Sequence, residues 1–94
     1  MKVTEEIRNF KAESISANGI EELKEASREA RVWAVVATAA AKSGHPAGAL
    51  SSMDIYMTLL GAANVTPALA DSPERDRIVV SHGHTSAGFY AALA

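Results

Sequence analysis

Cysteine is absent from the sequence, which excludes a disulfide framework, a thiol nucleophile and any cysteine-based zinc site, and fits a reducing compartment. Aromatic residues make up only 5% of the 94 positions although hydrophobic residues make up 48%, and alanine fills 19 of them. Such a composition buries little area per residue. At roughly 25 cal/mol per Å² of apolar surface, set against roughly 1.5 kcal/mol of conformational entropy per ordered residue, this core is expected to dock onto something larger. The length leaves no room for a second independent core. Basic clusters are lacking too: the net charge is −2 and no run of Lys and Arg could neutralise phosphates, which excludes a nucleic-acid partner. The opening MKVTEEIRNF carries early acids and no apolar centre, unlike a secretory signal. The longest apolar run, residues 32–41 with one Thr inside, is far short of the roughly 20 residues of a membrane span. No membrane partner is expected, and a cytoplasmic location is.

What the chain does contain is unevenly placed. Thirteen of its twenty charged residues lie in positions 1–31, and between Ser43 and Ala70 the only charge is Asp54. That middle stretch is built to be covered, and Gly44, Pro46, Gly48 and Gly61 rule out lipid as the cover.

Residues 4–17 carry a broken apolar stripe of Ile7, Phe10 and Ala17 and predict a short helix. Asn18 with Glu21 has the form of a capping box, opening a long helix over about 20–42. Its stripe, Ile20, Leu23, Ser27, Ala30, Ala34, Ala37 and Ala41, keeps the spacing of one helical face; the second half is apolar all round and is expected to be buried, Trp33 included. Lys42, then Gly44 in a left-handed position, then Pro46 end it. Ser51 with Asp54 forms a second capping box, predicting a helix over 52–60 whose Met53, Tyr56 and Met57 are core. Pro67, Asp71, Ser72 and Pro73 mark turns. Arg75, Asp76 and Arg77 form a structural salt-bridge patch. Residues 77–81, RIVVS, read as the one strand. A last helix runs over 85–93.

All three histidines, His45, His82 and His84, fall in glycine-containing loops beside helix starts. A loop leaving a strand into a helix N-terminus is the usual ligand crevice of an open α/β sheet, because free N–H groups and the positive helix end point there. Imidazole at such a place can donate to phosphate, polarise a carbonyl or exchange protons near neutrality. Plainer roles stand beside these: His45 could cap the preceding helix, and His84 could be an ordinary residue of a helix start. His82 and His84, alternate residues after a strand, also have the form of a paired-histidine metal site in a hydrolase. A catalytic zinc takes about three protein ligands, and His45 and Asp54 are the only further candidates. A non-catalytic helical interaction subunit is the other alternative.

Two linked motifs go further. SGHPAGALSSMDIYMTLL, followed after a spacer by ERDRIVVSHGHTSAGFYAALA, resembles the N-terminal, thiamine-diphosphate-binding domain of the transketolase family over residues 22–94. The resemblance implies an α/β fold, namely the start of a doubly wound parallel-sheet domain that is mostly helical in this stretch, over 19–94 with an N-terminal extension at 1–18. It implies transfer of a two-carbon ketol unit between sugar phosphates, with thiamine diphosphate supplying the carbon–carbon chemistry and the protein positioning substrate and stabilising charge. His45 then matches the family's catalytic histidine that contacts the transferred piece of substrate, and His84 its cofactor-binding histidine. Ala47 stands where the family usually has Gly, and His82 where Asn or Lys is more common. The family's Gly-Asp-Gly segment with its later Asn, which holds Mg²⁺ and the diphosphate, does not occur, so the metal ligands are expected outside this chain. So is the pyrimidine domain. The chain is therefore expected to be an N-terminal piece of such an enzyme, in preference to a split subunit needing a partner, and the full enzyme to be a homodimer.

Overall fold

The computed structural model describes residues 2–81 and 83–94, with the backbone alone for His84. Four α-helices are present among them: α1 (Lys2–Ile7), α2 (Ala17–Ala41), α3 (Pro46–Ala62) and α4 (Ser86–Leu93). Three short 3-10 turns, Arg8–Phe10, Pro67–Leu69 and Gly83–Thr85, punctuate the connections.

The long helix α2 begins at Ser16, not at Asn18. The Ser16 hydroxyl accepts the Gly19 N–H at 3.0 Å, and Glu6 from α1 takes the Ser16 N–H and hydroxyl, both at 3.1 Å. A carboxylate from a neighbouring helix thus does what the third helical residue does in a capping box, which Gly19 cannot do. Glycine is required at 19 for another reason: a Cβ there would lie 2.8 Å from side-chain carbons of both Val3 and Ile15. At the far end Lys42, with φ 55°, takes the left-handed cap that was expected of Gly44. Gly44 has φ 120°, and a Cβ would meet the Thr38 methyl at 2.7 Å.

Helix α3 starts at Pro46, six residues before the expected Ser52, because Pro46 in the first turn has a preset φ and loses no bonded N–H. Ser51 and Asp54 therefore lie inside the helix. The Ser51 hydroxyl donates back to the Gly48 carbonyl, and Asp54 pairs with Arg31 of α2 at 3.0 Å.

Val3, Ile7, Leu23, Ala30, Ala34, Ala49, Met53 and Met57 form the core, and Tyr56 is buried beside them. Helix α2 buries only the Leu23, Ser27, Ala30 and Ala34 face. The expectation that its whole second half is buried fails: Val32, Val35 and Val36 are exposed and Trp33 is 62% exposed. Only one side of a helix can face α3 and α4, so an all-round apolar helix keeps a bare side until something else packs on it.

Residues 77–81 form no strand; among the described residues no sheet is present. A strand exists through ladder hydrogen bonds to a neighbour, and none is present among the described residues; Val79 is 86% exposed. The loop before it is held by Asn64 and Asp76. The Asn64 N–H donates to the Asp76 carboxylate at 2.7 Å, and the Asp76 N–H to the Asn64 carbonyl at 3.1 Å. Arg75 donates to the Ala70 and Asp76 carbonyls. The expected salt-bridge patch is thus corrected: among the described residues Arg75, Asp76 and Arg77 are held by hydrogen bonds with the main chain, not by ion pairs with one another.

Candidate functional site

His45 immediately precedes α3, at its N-cap, and is exposed. Its carbonyl accepts the Ala49 N–H at 3.4 Å, and its imidazole does not cap α3. At the end of α2 the Ala39 and Thr38 carbonyls are taken by the main-chain N–H groups of Lys42 and Ser43, both at 3.2 Å. The segment around His45 is almost free of charge, so the dipole of α3 is the main fixed field there.

His84 lies in the 3-10 turn Gly83–Thr85 that runs directly into α4. Its side chain, and all of His82, lie outside the described residues; so does the paired-histidine zinc reading that uses them. Among the described residues no three His, Asp or Glu side chains are grouped to hold a metal ion.

Packing brings the two helix starts together. Gly88 of α4 lies against Ala49 of α3 so closely that a Cβ at 88 would be 2.7 Å from the Ala49 Cβ and 2.9 Å from its Cα. Ala49 is four residues after His45 and Gly88 four after His84, one helical turn in each case. Farther along both helices, Ala92 lines the same clefts as Met57. The Ala49–Gly88 contact thus sets the first turn of α3 against the first turn of α4. Such a pair of helix starts favours negative charge, phosphate included.

Two further residues, which sequence patterning assigns only to the core or to a helix start, tie the His84 turn to α3. Tyr56 and Thr85 are both buried and share a hydrogen bond between their hydroxyls. The Tyr56 ring stands edge-on to Phe89, centroids 5.4 Å apart at 80°. The signal that could have pointed to the contact is Gly88 inside an apolar helix, where a missing side chain marks close approach.

Asp54 lies on α3 away from this end and is a tie between helices. Hydrogen bonds from Arg31 and then Ser27 hold its carboxyl below the ordinary aspartate value, and Arg31 also donates to the Leu50 carbonyl at 3.2 Å. A cleft of about 460 Å³ lies at the other end of α3, lined by Thr4, Arg8, Leu60, Gly61 and Arg75 among others. Its Arg8 is committed to the main chain, donating to the Leu60, Ala63 and Val65 carbonyls at 2.6, 2.8 and 3.1 Å. No described helix is long and apolar enough to cross a membrane.

Comparison with known proteins gives one family. The family model described as transketolase, thiamine diphosphate binding domain, matches residues 22–94. A transketolase of Mus musculus is 34% identical over 76 residues, covering 80% of this chain and 12% of the relative. A transketolase of Rattus norvegicus matches with the same identity and coverage. No solved structure gives a significant match.

Proposed function

Because this chain belongs to the transketolase family through its thiamine diphosphate binding domain, we propose that it forms the first part of an enzyme transferring a two-carbon ketol unit between sugar phosphates. In this reading residues 19–94 begin a doubly wound α/β domain, residues 77–81 become its first strand once neighbouring strands are supplied, and residues 1–18 are an extension packed on it. The remaining strands come from the rest of the enzyme or a partner subunit, and the working enzyme is a cytoplasmic homodimer.

The observation that supports the proposal is the close packing of Gly88 on Ala49, which brings together the starts of α3 and α4, each one helical turn beyond His45 or His84. That end suits an anionic cofactor: main-chain N–H groups of two first turns, an almost charge-free surround and two imidazoles. Bound there, thiamine diphosphate supplies the carbanion chemistry that breaks and remakes a carbon–carbon bond. His45, on the exposed rim, hydrogen-bonds hydroxyl oxygens of the sugar-phosphate substrate. It shares a proton with them and so orients the piece to be transferred. His84 contacts the cofactor, adding a donor beside the helix N-terminus. The described residues do not fit Mg²⁺, since no three of their His, Asp or Glu side chains are grouped to hold a metal ion; in this reading its ligands lie outside residues 1–94.

The test uses His45→Ala and His84→Ala in the full-length protein. His45→Ala is expected to lower kcat by about 100-fold or more, within the usual range for removing a proton-transfer group, with little change in the Kd for thiamine diphosphate. His84→Ala is expected to raise that Kd by about tenfold, as for loss of one charge-assisted hydrogen bond. Unchanged turnover and unchanged Kd in both variants would reject the proposal.

A further inference from the structure

The 3-10 turn that carries His84 is anchored at its Thr85 end. A Cβ placed at Gly83 would meet nothing within 4 Å, so that side of the turn faces open space. At the other end of the turn, Thr85 is 1% exposed, and a hydroxyl so deeply buried must be hydrogen-bonded or cost the protein its desolvation. The bond goes to the Tyr56 hydroxyl. Tyr56 belongs to α3, the helix that begins at His45, and its hydroxyl sits at the tip of a rigid ring set by the edge contact with Phe89. Three residues beyond Thr85, Gly88 rests on Ala49 of the same helix. Two contacts so close in sequence, both made to α3, fix where α4 begins.

We propose that Tyr56 and Thr85 are positioning residues, whose hydrogen bond holds the His84 turn on α3, the helix that His45 precedes, and so sets the separation of the two histidines. The role rests on the reading of His84 as a cofactor contact. Both act through the backbone of His84, which is bonded directly to Thr85.

The test is made in the full-length protein with histidines labelled at the imidazole Cε1, the signals of His45 and His84 being assigned by their alanine variants. Tyr56→Phe keeps the ring and its contact with Phe89 and removes only the hydroxyl; Thr85→Val removes the partner hydroxyl at constant shape. Each is expected to move the His84 signal and its titration midpoint while His45 stays in place. Each is also expected to raise the Kd for thiamine diphosphate, titrated with Mg²⁺, by about tenfold. Thr85→Ser restores the hydroxyl and is expected to restore both readouts. The double variant should be no worse than either single one, as for two halves of one interaction. An unmoved His84 signal in folded Tyr56→Phe protein overturns the proposal. So does a Thr85→Ser variant that fails to restore it, or a joint shift of every histidine signal, which general loosening would produce. If His84→Ala leaves the Kd unchanged, the cofactor reading falls instead, and the His84 signal still decides whether the hydrogen bond positions the turn.

Discussion

At position 88 a side chain of even one carbon has nowhere to go. Its Cβ would lie 2.9 Å from the Ala49 Cα and 3.1 Å from the Ala49 carbonyl oxygen, and main-chain atoms cannot swing aside as a flexible side chain can. Alanine in place of a mid-helix glycine ordinarily gains about 1 kcal/mol of helix propensity, whereas overpacking costs typically about 1–3 kcal/mol. With main chain as the obstacle the steric term wins. Gly88→Ala is therefore expected to lower the unfolding free energy by about 1–2 kcal/mol in urea denaturation. It should also push α4 off α3, so that the cofactor Kd rises together with the loss of stability. A neutral or stabilising Gly88→Ala would mean that the helices do not approach as closely as described. Ala49→Gly in the same chain opens the space and is expected to recover part of the loss.

At the scale of whole elements, helices were legible and their boundaries less so, for reasons that lie in particular residues. The apolar spacing of α2 marks its buried face correctly at Leu23, Ser27, Ala30 and Ala34, because helical periodicity is a local property. Its start at Ser16 was not legible, since the carboxylate completing the cap comes from Glu6 in another helix. Ser51 and Asp54 imitate a capping box, yet Pro46 opens α3 a turn and a half earlier. The strand at 77–81 was readable as a tendency, but strands are made by partners, and the described residues hold none for it. Of the site, the histidine loops and their motifs stood in the sequence. The Tyr56–Thr85 bond did not, because it joins residues 29 positions apart.

Asp54 shows how two elements are tied by a charge, and its pH dependence has a definite sign. Its carboxyl is held below the ordinary value of 3.8 by the Arg31 and Ser27 hydrogen bonds. The stabilisation it contributes is complete above that value and disappears as the pH falls below it through the lowered folded-state pKa. The Asp54 side chain is 68% exposed, so solvent screening limits the pair to about 0.2–1 kcal/mol. Asp54→Asn is expected to unfold at lower urea concentration than the parent at neutral pH, and the gap should close below about pH 4. A gap that persists at lower pH would place the effect in packing instead of charge.

The molecule as a whole spans 12% of the length of its relatives, and its surface accords with that: Val32, Trp33, Val35, Val36 and Val79 lie exposed on a chain with few large apolar residues to spare. What core it has depends on α1. Val3 and Ile7 are 1% and 3% exposed, Gly61 of α3 faces the Ile7 methyl, and Arg8 takes three carbonyls at the end of α3. This short helix lies outside the region matched to the family, residues 22–94, yet it closes the same core. Burying one aliphatic side chain of this kind contributes about 1.5–3 kcal/mol. Removing residues 1–10 from the full-length protein should therefore cost at least about 3 kcal/mol from Val3 and Ile7 together. Loss of the Arg8 bonds adds to that. Arg8→Ala alone is expected to cost about 1–2 kcal/mol, because the arginine is only partly buried and water can replace it at some of the carbonyls. The ratio of these two losses in urea denaturation is the informative quantity. If Arg8→Ala costs as much as the deletion, α1 is there to cap α3 and its apolar face contributes little. If the deletion costs far more, as the burial of Val3 and Ile7 requires, residues 2–10 are a working part of the domain's core.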